Sequence, residues 1–261
     1  MQRNTNQHSN YTTKEIILKN NNKAIYGVAF IPKRIMKAFP TVIFSHAFND
    51  THESGFRYAK YLAEYGIATY CFDFCGGSTV CKSDGKTIDM SPLTQVNDLN
   101  CVVDQMKEMN FVNSNQLFLM GVSQGGFVSA VTASMRNQEI RGLILLSPAF
   151  ELRQKVLEMF DSPDNSSKSN ELMGMPLGTI YLKDLWNYNI YDHISNYTND
   201  VLIFHGDLDE EAPIKYSKKA VEIYNFANLK VFNDEGHHFS STNKDKIAKE
   251  VLEFIQSHII K

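Results

Sequence analysis

Short, continuously apolar segments alternate with segments of helical periodicity along most of the 261-residue chain. The apolar segments read TVIF at 41–44, IATYCFDF at 67–74, QLFLM at 116–120, RGLILLS at 141–147 and DVLIFHG at 200–206. Strands that are apolar throughout are typical of a parallel sheet covered by helices on both faces. We therefore predict an α/β fold with a mostly parallel central sheet between two layers of helices.

Segments near both ends of the chain complete this prediction. Residues 12–18 and 24–31 alternate between polar and apolar side chains, and the asparagine run between them predicts an antiparallel hairpin at the sheet edge. A further short strand is predicted at 229–232. The predicted helices cover 54–65, 94–109, the stretch from Ser123 to about Met135, 214–225 and 244–259, and Gly66 is expected to end the first of them.

The alternation stops between residues 148 and 199. This region contains the loop-like segment DSPDNSSKSN at 161–170 and the aromatic-rich segment YLKDLWNYNIYDHI at 181–194. A structureless loop of this length is improbable inside a compact domain. We interpret it as a cap inserted after the sixth strand, over one end of the sheet. The predicted organisation is a core of residues 1–148 and 200–261 with a cap of residues 149–199.

Composition and charge exclude several functional classes. The formal net charge is −3 and the pI about 6.2, so nucleic acid is not expected as a partner. No apolar run approaches the roughly 18 residues of a membrane span. The first ten residues, MQRNTNQHSN, lack the apolar region of a secretory signal, so a cytoplasmic location is the default expectation. The oligomeric state stays open, with a homodimer as one alternative.

The cysteines suggest free thiols rather than a metal site. The chain has four of them, Cys71, Cys75, Cys81 and Cys101. A zinc site would need paired short spacings and further ligands nearby. We therefore expect free thiols in a reducing compartment and no metal.

Ser123 lies in the sequence Gly121-Val122-Ser123-Gln124-Gly125, which fits the pattern G-x-S-x-G. A strand precedes this pattern and a helical segment follows it. Glycines flank the serine because the turn is too tight for bulky neighbours, and the turn exposes the hydroxyl at a helix N-terminus. The alternative is a serine that merely caps the helix. The strand before it and the helix after it favour a nucleophile.

A serine hydroxyl needs a base, and the base needs an orienting acid. The G-x-S-x-G pattern predicts both downstream, in the order serine, acid, histidine. The acid candidates follow the strand at 200–206 and are Asp207, Asp209, Glu210 and Glu211. The base candidates follow the strand at 229–232 and are His237 and His238. The residues by themselves leave this choice open.

The chain resembles the α/β-hydrolase superfamily over nearly its whole length. The superfamily pattern HG-x-x-D-x-x-V-P corresponds to residues 205–213, with Ala212 in the valine position, and the pattern G-H-x-F corresponds to residues 236–239. The resemblance therefore implies Asp209 as the acid and His237 as the base. Of the other histidines, we interpret His46 as ordering its loop and His205 as structural.

The oxyanion hole requires two N–H donors. The backbone N–H of Gln124, directly after the nucleophile, is expected to be one. The second should come from the loop Ser45-His46-Ala47-Phe48-Asn49, and the resemblance implies the backbone N–H of Phe48. This chain has Ala47 where the superfamily often has glycine.

Longer stretches resemble a narrower group, the small bacterial feruloyl (cinnamoyl) esterases. These stretches are SHAFNDTHESGFRYAKYLAEYGIATYCFDFCGGS, GVSQGG and EGHHFS. The resemblance implies a serine carboxylesterase for small acyl or hydroxycinnamate esters, with no cofactor. The alternatives are a hydrolase for another leaving group (peptidase, thioesterase or lysophospholipase-like) and a binding protein without catalysis.

In these esterases the cap shapes the acyl pocket. The resemblance therefore implies that aromatic and polar residues of the cap bind the substrate. The candidates are Tyr181, Asp184, Trp186 and Tyr188, with Tyr191 as a further aromatic. The alternative is that these aromatic side chains form a small core of the cap itself.

Overall fold

The computed structural model describes residues 10–164 and 171–259 of the chain. Two sequence-based predictions fall partly outside these residues. Residues 1–9 contain most of the segment used to predict the absence of a secretory signal. Residues 165–170 belong to the loop-like part of the predicted cap.

Residues 10–164 and 171–259 form ten strands, most of which pair into one sheet. In chain order they are β1 (Tyr11–Asn20), β2 (Lys23–Pro32), β3 (Phe39–Ser45), β4 (Ala68–Phe72), β5 (Val112–Val122), β6 (Ile140–Leu146), β7 (Glu171–Leu172), β8 (Met175–Pro176), β9 (Val201–Gly206) and β10 (Ala227–Phe232). The eight-stranded sheet has the order β1-β2-β4-β3-β5-β6-β9-β10. Strand β2 pairs antiparallel with β1 and β4, and the remaining pairs are parallel. The predicted parallel sheet and its antiparallel edge hairpin are therefore confirmed.

Helices connect the strands and cover both faces of the sheet. They are α1 (Phe56–Glu64), α2 (Pro92–Lys107), α3 (Gln124–Met135), α4 (Leu152–Met159), α5 (Thr179–Trp186), α6 (Tyr191–Ile194), α7 (Lys215–Ile223) and α8 (Ser241–His258). Val42 and Phe44 of β3 share a hydrophobic cluster with residues of α1 and α8. Ile43 shares the opposite cluster with residues of α2 and α3. Because each parallel strand is buried on both faces, its side chains are apolar throughout.

The ends of the helices follow recognisable local signals. Gly66 adopts φ +91 after α1, as expected for a glycine that ends a helix. Helix α2 begins at Pro92, two residues before the predicted start. Ser91 caps it, since its side chain accepts the Thr94 N–H at 3.1 Å while its own N–H donates to Thr94 Oγ1 at 2.9 Å. The Ser-Pro pair is the signal that the sequence prediction overlooked.

The segment between β6 and β9 contains α4, the β7–β8 hairpin, α5 and α6. It contains no strand of the main sheet in its described residues. Its buried residues Val156, Tyr181, Leu182 and Leu185 belong to the same hydrophobic cluster as Phe127 of α3. This segment, for which the sequence analysis predicts a cap and which is called the cap below, therefore packs directly on α3 and extends the hydrophobic layer on that face of the sheet.

The lengths and hydropathies of the helices were compared with those needed for a membrane-spanning helix. Among residues 10–164 and 171–259, no helix combines the length and the apolar character needed to cross a bilayer.

Candidate active site

Ser123 occupies a strained turn between β5 and α3. Its φ is 51 and its ψ is −119, a conformation that residues with a Cβ rarely adopt. A Cβ on Gly121 would lie 2.2 Å from Gly125 O, and a Cβ on Gly125 would lie 2.3 Å from Ser45 O. Both flanking glycines are therefore required for the close approach of the backbone, and the turn holds Ser123 at the N-terminus of α3.

His237 and Asp209 lie beside Ser123, although their loops follow different strands. The Ser123 hydroxyl donates to His237 Nε2 at 2.9 Å, and His237 Nδ1 donates to Asp209 Oδ2 at 2.8 Å. The competing candidates His238 and Glu211 are both exposed and lie 3.9 Å from each other, and neither bonds to Ser123 or His237, although Glu211 lines the same pocket. The structure thus brings together Ser123, which the G-x-S-x-G pattern predicted, and the two residues that the resemblance implied.

Asp209 is buried and fully hydrogen-bonded. Its Oδ1 accepts the Ala212 N–H at 2.8 Å, and its Oδ2 lies 3.1 Å from His205 Nε2. Burial alone raises the pKa of the Asp209 carboxyl, but the hydrogen bonds from His205, His237 and Ala212 outweigh burial and hold that pKa well below its ordinary value. Asp209 therefore stays ionised and can stabilise a protonated His237.

His205 has a defined tautomer. Its Nε2 lies 2.7 Å from Ala212 O, which can only accept, so Nε2 carries the proton. Its Nδ1 then accepts the Ser217 hydroxyl at 2.8 Å. The sequence analysis interpreted His205 as structural, and the structure adds a direct contact with the candidate acid. The spacing HG-x-x-D was the signal that could have revealed this contact.

Two backbone N–H groups are available for an oxyanion. Phe48 and Gln124 line the same pocket as Ser123 and His237. Within the described residues, neither N–H group has a hydrogen-bond partner. Ala47 does not adopt a positive φ, so alanine fits here without strain.

His46 fixes the direction of the Phe48 N–H. Its Nδ1 donates to Ala47 O at 2.7 Å, and its Nε2 accepts the Phe74 N–H at 3.1 Å. Burial lowers the pKa of His46 and favours this neutral form. Because Ala47 O and the Phe48 N–H belong to one planar peptide, holding the carbonyl also orients the N–H.

The cap supplies most of the apolar wall of the pocket, including Leu152, Val156, Phe160 and Leu177. Tyr181 also lies in this wall, as predicted from the sequence. Its hydroxyl donates to Gln124 Oε1 at 2.7 Å, and Gln124 Nε2 donates to Gln95 Oε1 at 2.8 Å. A continuous hydrogen-bonded chain therefore ties the cap to the residue that follows the candidate nucleophile.

The other three predicted substrate residues lie outside this pocket. Asp184 accepts the Ser91 hydroxyl at the start of α2. Tyr188 stacks on His193 with the ring centroids 4.5 Å apart, and the Trp186 carbonyl accepts a hydrogen bond from an arginine of α4. The sequence-based placement of Asp184, Trp186 and Tyr188 is therefore corrected, because these residues make contacts within the cap or between cap and core.

A match to a known family decides the identity of the chain. Residues 37–209 match the family model described as Serine aminopeptidase, S33. The chain belongs to this hydrolase family. No curated protein sequence matches it.

Solved structures resemble this S33 hydrolase over nearly their whole length. Est1E from Butyrivibrio proteoclasticus, solved with ferulic acid bound, is 26% identical with a TM-score of 0.85, and the match covers 94% of this chain and 100% of Est1E. An esterase from Exiguobacterium antarcticum is 17% identical with a TM-score of 0.70, covering 93% of this chain and 100% of that one. A monoacylglycerol lipase from Paleococcus ferrophilus is 17% identical with a TM-score of 0.68, covering 90% and 99%. The last two show the shared fold alone.

Potential metal ligands and cysteines occur in the described part of this S33 hydrolase as well. No group of three or more His, Cys, Asp or Glu side chains there is arranged to hold a metal ion. All four cysteines are free, and burial raises the pKa of the Cys71 thiol. The site beside Ser123 consists of a hydroxyl, an imidazole and a carboxylate that are linked by hydrogen bonds and lie near two backbone N–H groups.

Proposed function

We infer that this chain is a serine carboxylesterase that hydrolyses small acyl or hydroxycinnamate esters. One observation carries the proposal: the Ser123 hydroxyl donates to His237 at 2.9 Å, and His237 donates to Asp209 at 2.8 Å. Nucleophilic acyl transfer requires a hydroxyl, a base and an orienting acid that are hydrogen-bonded in this order.

The reaction follows from these positions. His237 removes the proton from Ser123 as the hydroxyl oxygen attacks the ester carbonyl, and Asp209 stabilises the imidazolium. The N–H groups of Phe48 and Gln124 donate to the oxyanion. His237 then gives the proton to the departing alcohol. Water, activated by the same histidine, releases the acid and restores Ser123.

The lining of the pocket beside Ser123 supports the proposal that the acyl group of the substrate is apolar. Its wall is mostly aliphatic and aromatic, with side chains such as Val156, Phe160 and Tyr181. Est1E, which has 26% sequence identity, was solved with ferulic acid bound. An aromatic acyl group is therefore the first substrate class to test.

The test compares two esters and two serine variants. Wild type should cleave a short p-nitrophenyl ester and methyl ferulate, with the higher kcat/KM for the ferulate. Ser123→Ala should abolish both activities. Ser134→Ala is the matched control on the same helix, since the Ser134 hydroxyl only donates to Val131 O at 2.7 Å. Full activity in Ser123→Ala would refute the proposed nucleophile.

A peptidase is the second candidate, and the description of the matched family favours it. The same serine chemistry cleaves amides when the leaving amine is protonated by the histidine. Measuring the hydrolysis of aminoacyl p-nitroanilides distinguishes a peptidase from a carboxylesterase. Cleavage of these amides with a kcat/KM above that for the esters would replace the carboxylesterase proposal.

A further inference from the structure

Asn49 follows Phe48 in the chain and adopts a left-handed backbone conformation. Its φ is 51, and the Asp50 N–H donates to Ala47 O at 3.3 Å to close a four-residue turn around it. A turn with a positive φ at its third residue favours glycine or asparagine at that position. The backbone therefore accounts for an asparagine or a glycine here, and the side chain of Asn49 is free to serve a further purpose.

The side-chain amide of Asn49 joins two other segments beside the pocket. Its Oδ1 accepts the Thr79 N–H at 3.1 Å, and its Nδ2 donates to Met173 O at 3.3 Å. These partners fix the orientation of the amide, because the Thr79 N–H can only donate and Met173 O can only accept. Asn49 thus connects the loop of the candidate oxyanion hole to a residue 124 positions away.

Met173 lies in the turn of the β7–β8 hairpin, which forms part of the pocket wall. Leu172 and Met173 line the same pocket as Ser123 and Phe48. Met173 has a φ of 49 and Gly174 a φ of 76, two successive positive values as in a type I′ turn. Because the Met173 side chain is exposed and also lines the pocket, it lies at the pocket mouth.

The base of the β7–β8 hairpin is packed more tightly than its tip. Met175 is completely buried, and a Cβ on Gly178 would lie 1.8 Å from Ile88 O. At the tip, a Cβ on Gly174 would meet nothing within 4 Å. The hydrogen bond from Asn49 is therefore made at the part of the hairpin that has the least packing to hold it.

We propose that Asn49 is a positioning residue that holds Met173 across the pocket mouth, so that Met173 contacts the longer acyl groups of the substrate and not the shortest ones. This inference rests on the proposed esterase function and adds a residue that sets its preference for acyl length. A single exposed hydrogen bond contributes little free energy, so the tip can open to admit a substrate while the base stays folded.

Hydrogen exchange tests the contact without any substrate. Asn49→Asp keeps an oxygen for Thr79 and tolerates a positive φ, but it removes the amide that donates to Met173. We expect peptides covering residues 171–176 to exchange about fivefold faster in Asn49→Asp than in wild type. Asn21→Asp is the matched control, since Asn21 has a φ of 52 and lies in the β1–β2 turn outside the pocket wall. Equal exchange of the hairpin in Asn49→Asp and wild type would overturn the inference.

Kinetics with p-nitrophenyl acetate and p-nitrophenyl hexanoate test the role in substrate choice, because the two esters share a leaving group. In Asn49→Asp we expect KM for the hexanoate to rise about fivefold and the ratio of hexanoate to acetate kcat/KM to fall by the same factor. Asn21→Asp should keep the wild-type ratio. If Asn49 only shaped the candidate oxyanion hole, kcat would fall for both esters at a constant ratio, and that result would overturn the inference.

Two further variants show which group is responsible. Asn49→Gly keeps the positive φ without adding a charge and should lower the ratio as Asn49→Asp does. An effect confined to Asn49→Asp would arise from the charge and would overturn the inference. Met173→Gly suits the positive φ and should also lower the ratio. The double variant Asn49→Gly/Met173→Gly should lose no more than either single variant, since both changes remove the same wall, and multiplied losses would contradict a shared role.

The two kinds of measurement separate this inference from the function on which it rests. Cleavage of both esters with an unaltered ratio in Asn49→Asp would leave the esterase standing and overturn the role of Asn49. Faster exchange of the hairpin in Asn49→Asp, without cleavage of either ester by wild type, would overturn the proposed function and still support the contact between Asn49 and the hairpin.

Discussion

His205 Nε2 lies 3.1 Å from Asp209 Oδ2, the same oxygen that accepts the hydrogen bond from His237. Two histidines therefore share one carboxylate oxygen, and only His237 reaches Ser123. The His205 ring is completely buried and is fixed from its other side by Ser217. This contact makes His205 a positioning residue for the candidate acid.

Replacing His205 tests that role. His205→Leu removes the Nε2–H that donates to Ala212 O at 2.7 Å and lies 3.1 Å from Asp209 Oδ2. Polar contacts with a charged group contribute about 1.5–3 kcal/mol. We expect kcat/KM for ester hydrolysis to fall about tenfold or more, while His205→Gln, which keeps an N–H near the ring Nε2, recovers most of the loss. Circular dichroism verifies that both variants fold. Equal losses in the two variants would show that His205 only fills space.

The depressed pKa of Asp209 predicts how stability depends on pH. A carboxyl whose pKa is lower in the folded state stabilises the protein fully above its unfolded pKa, and this contribution is lost as the pH falls through the folded pKa. The free energy of unfolding of wild type should therefore exceed that of Asp209→Asn above about pH 4. Urea denaturation at a series of pH values measures it. The difference should shrink on acidification, and one that grows would contradict the assignment.

The Tyr181–Gln124 hydrogen bond predicts that the cap helps to order the active site. Tyr181→Phe removes the hydroxyl that donates to Gln124 Oε1 and leaves the ring in the pocket wall. We expect a loss in kcat of about fivefold or more, with a smaller change in KM, since a buried acceptor loses its donor beside the candidate oxyanion hole.

Tyr188→Phe is the matched control for this measurement. The Tyr188 ring stacks on His193 outside the pocket, so removing its hydroxyl should leave kcat and KM unchanged. A loss in Tyr188→Phe as large as that in Tyr181→Phe would restore the sequence-based prediction that Tyr188 binds substrate.

The sheet was predictable, and the main candidate-site residues could be proposed, because their sequence signals are local. Ser123 is marked by a strand, two glycines and a helix within about ten residues, and the turn geometry follows from that pattern. Asp209 and His237 follow the ends of parallel strands, which meet at one edge of the sheet. The superfamily patterns then separated them from their acidic and histidine neighbours.

The contacts of the cap were not predictable in the same way. The hydrogen bond between Ser91 and Asp184 joins residues 93 positions apart, and the bond between Tyr181 and Gln124 spans 57 positions. Aromatic composition does not tell which face of a short helix meets the pocket.

The central claim is that the hydroxyl of Ser123 is the nucleophile. The most direct measurement is labelling with a fluorophosphonate, which reacts covalently with activated serines, followed by mass spectrometry of the peptides. The account predicts a single label on Ser123 in wild type and none in Ser123→Ala. A label on another residue, or no label in folded wild type, would contradict it.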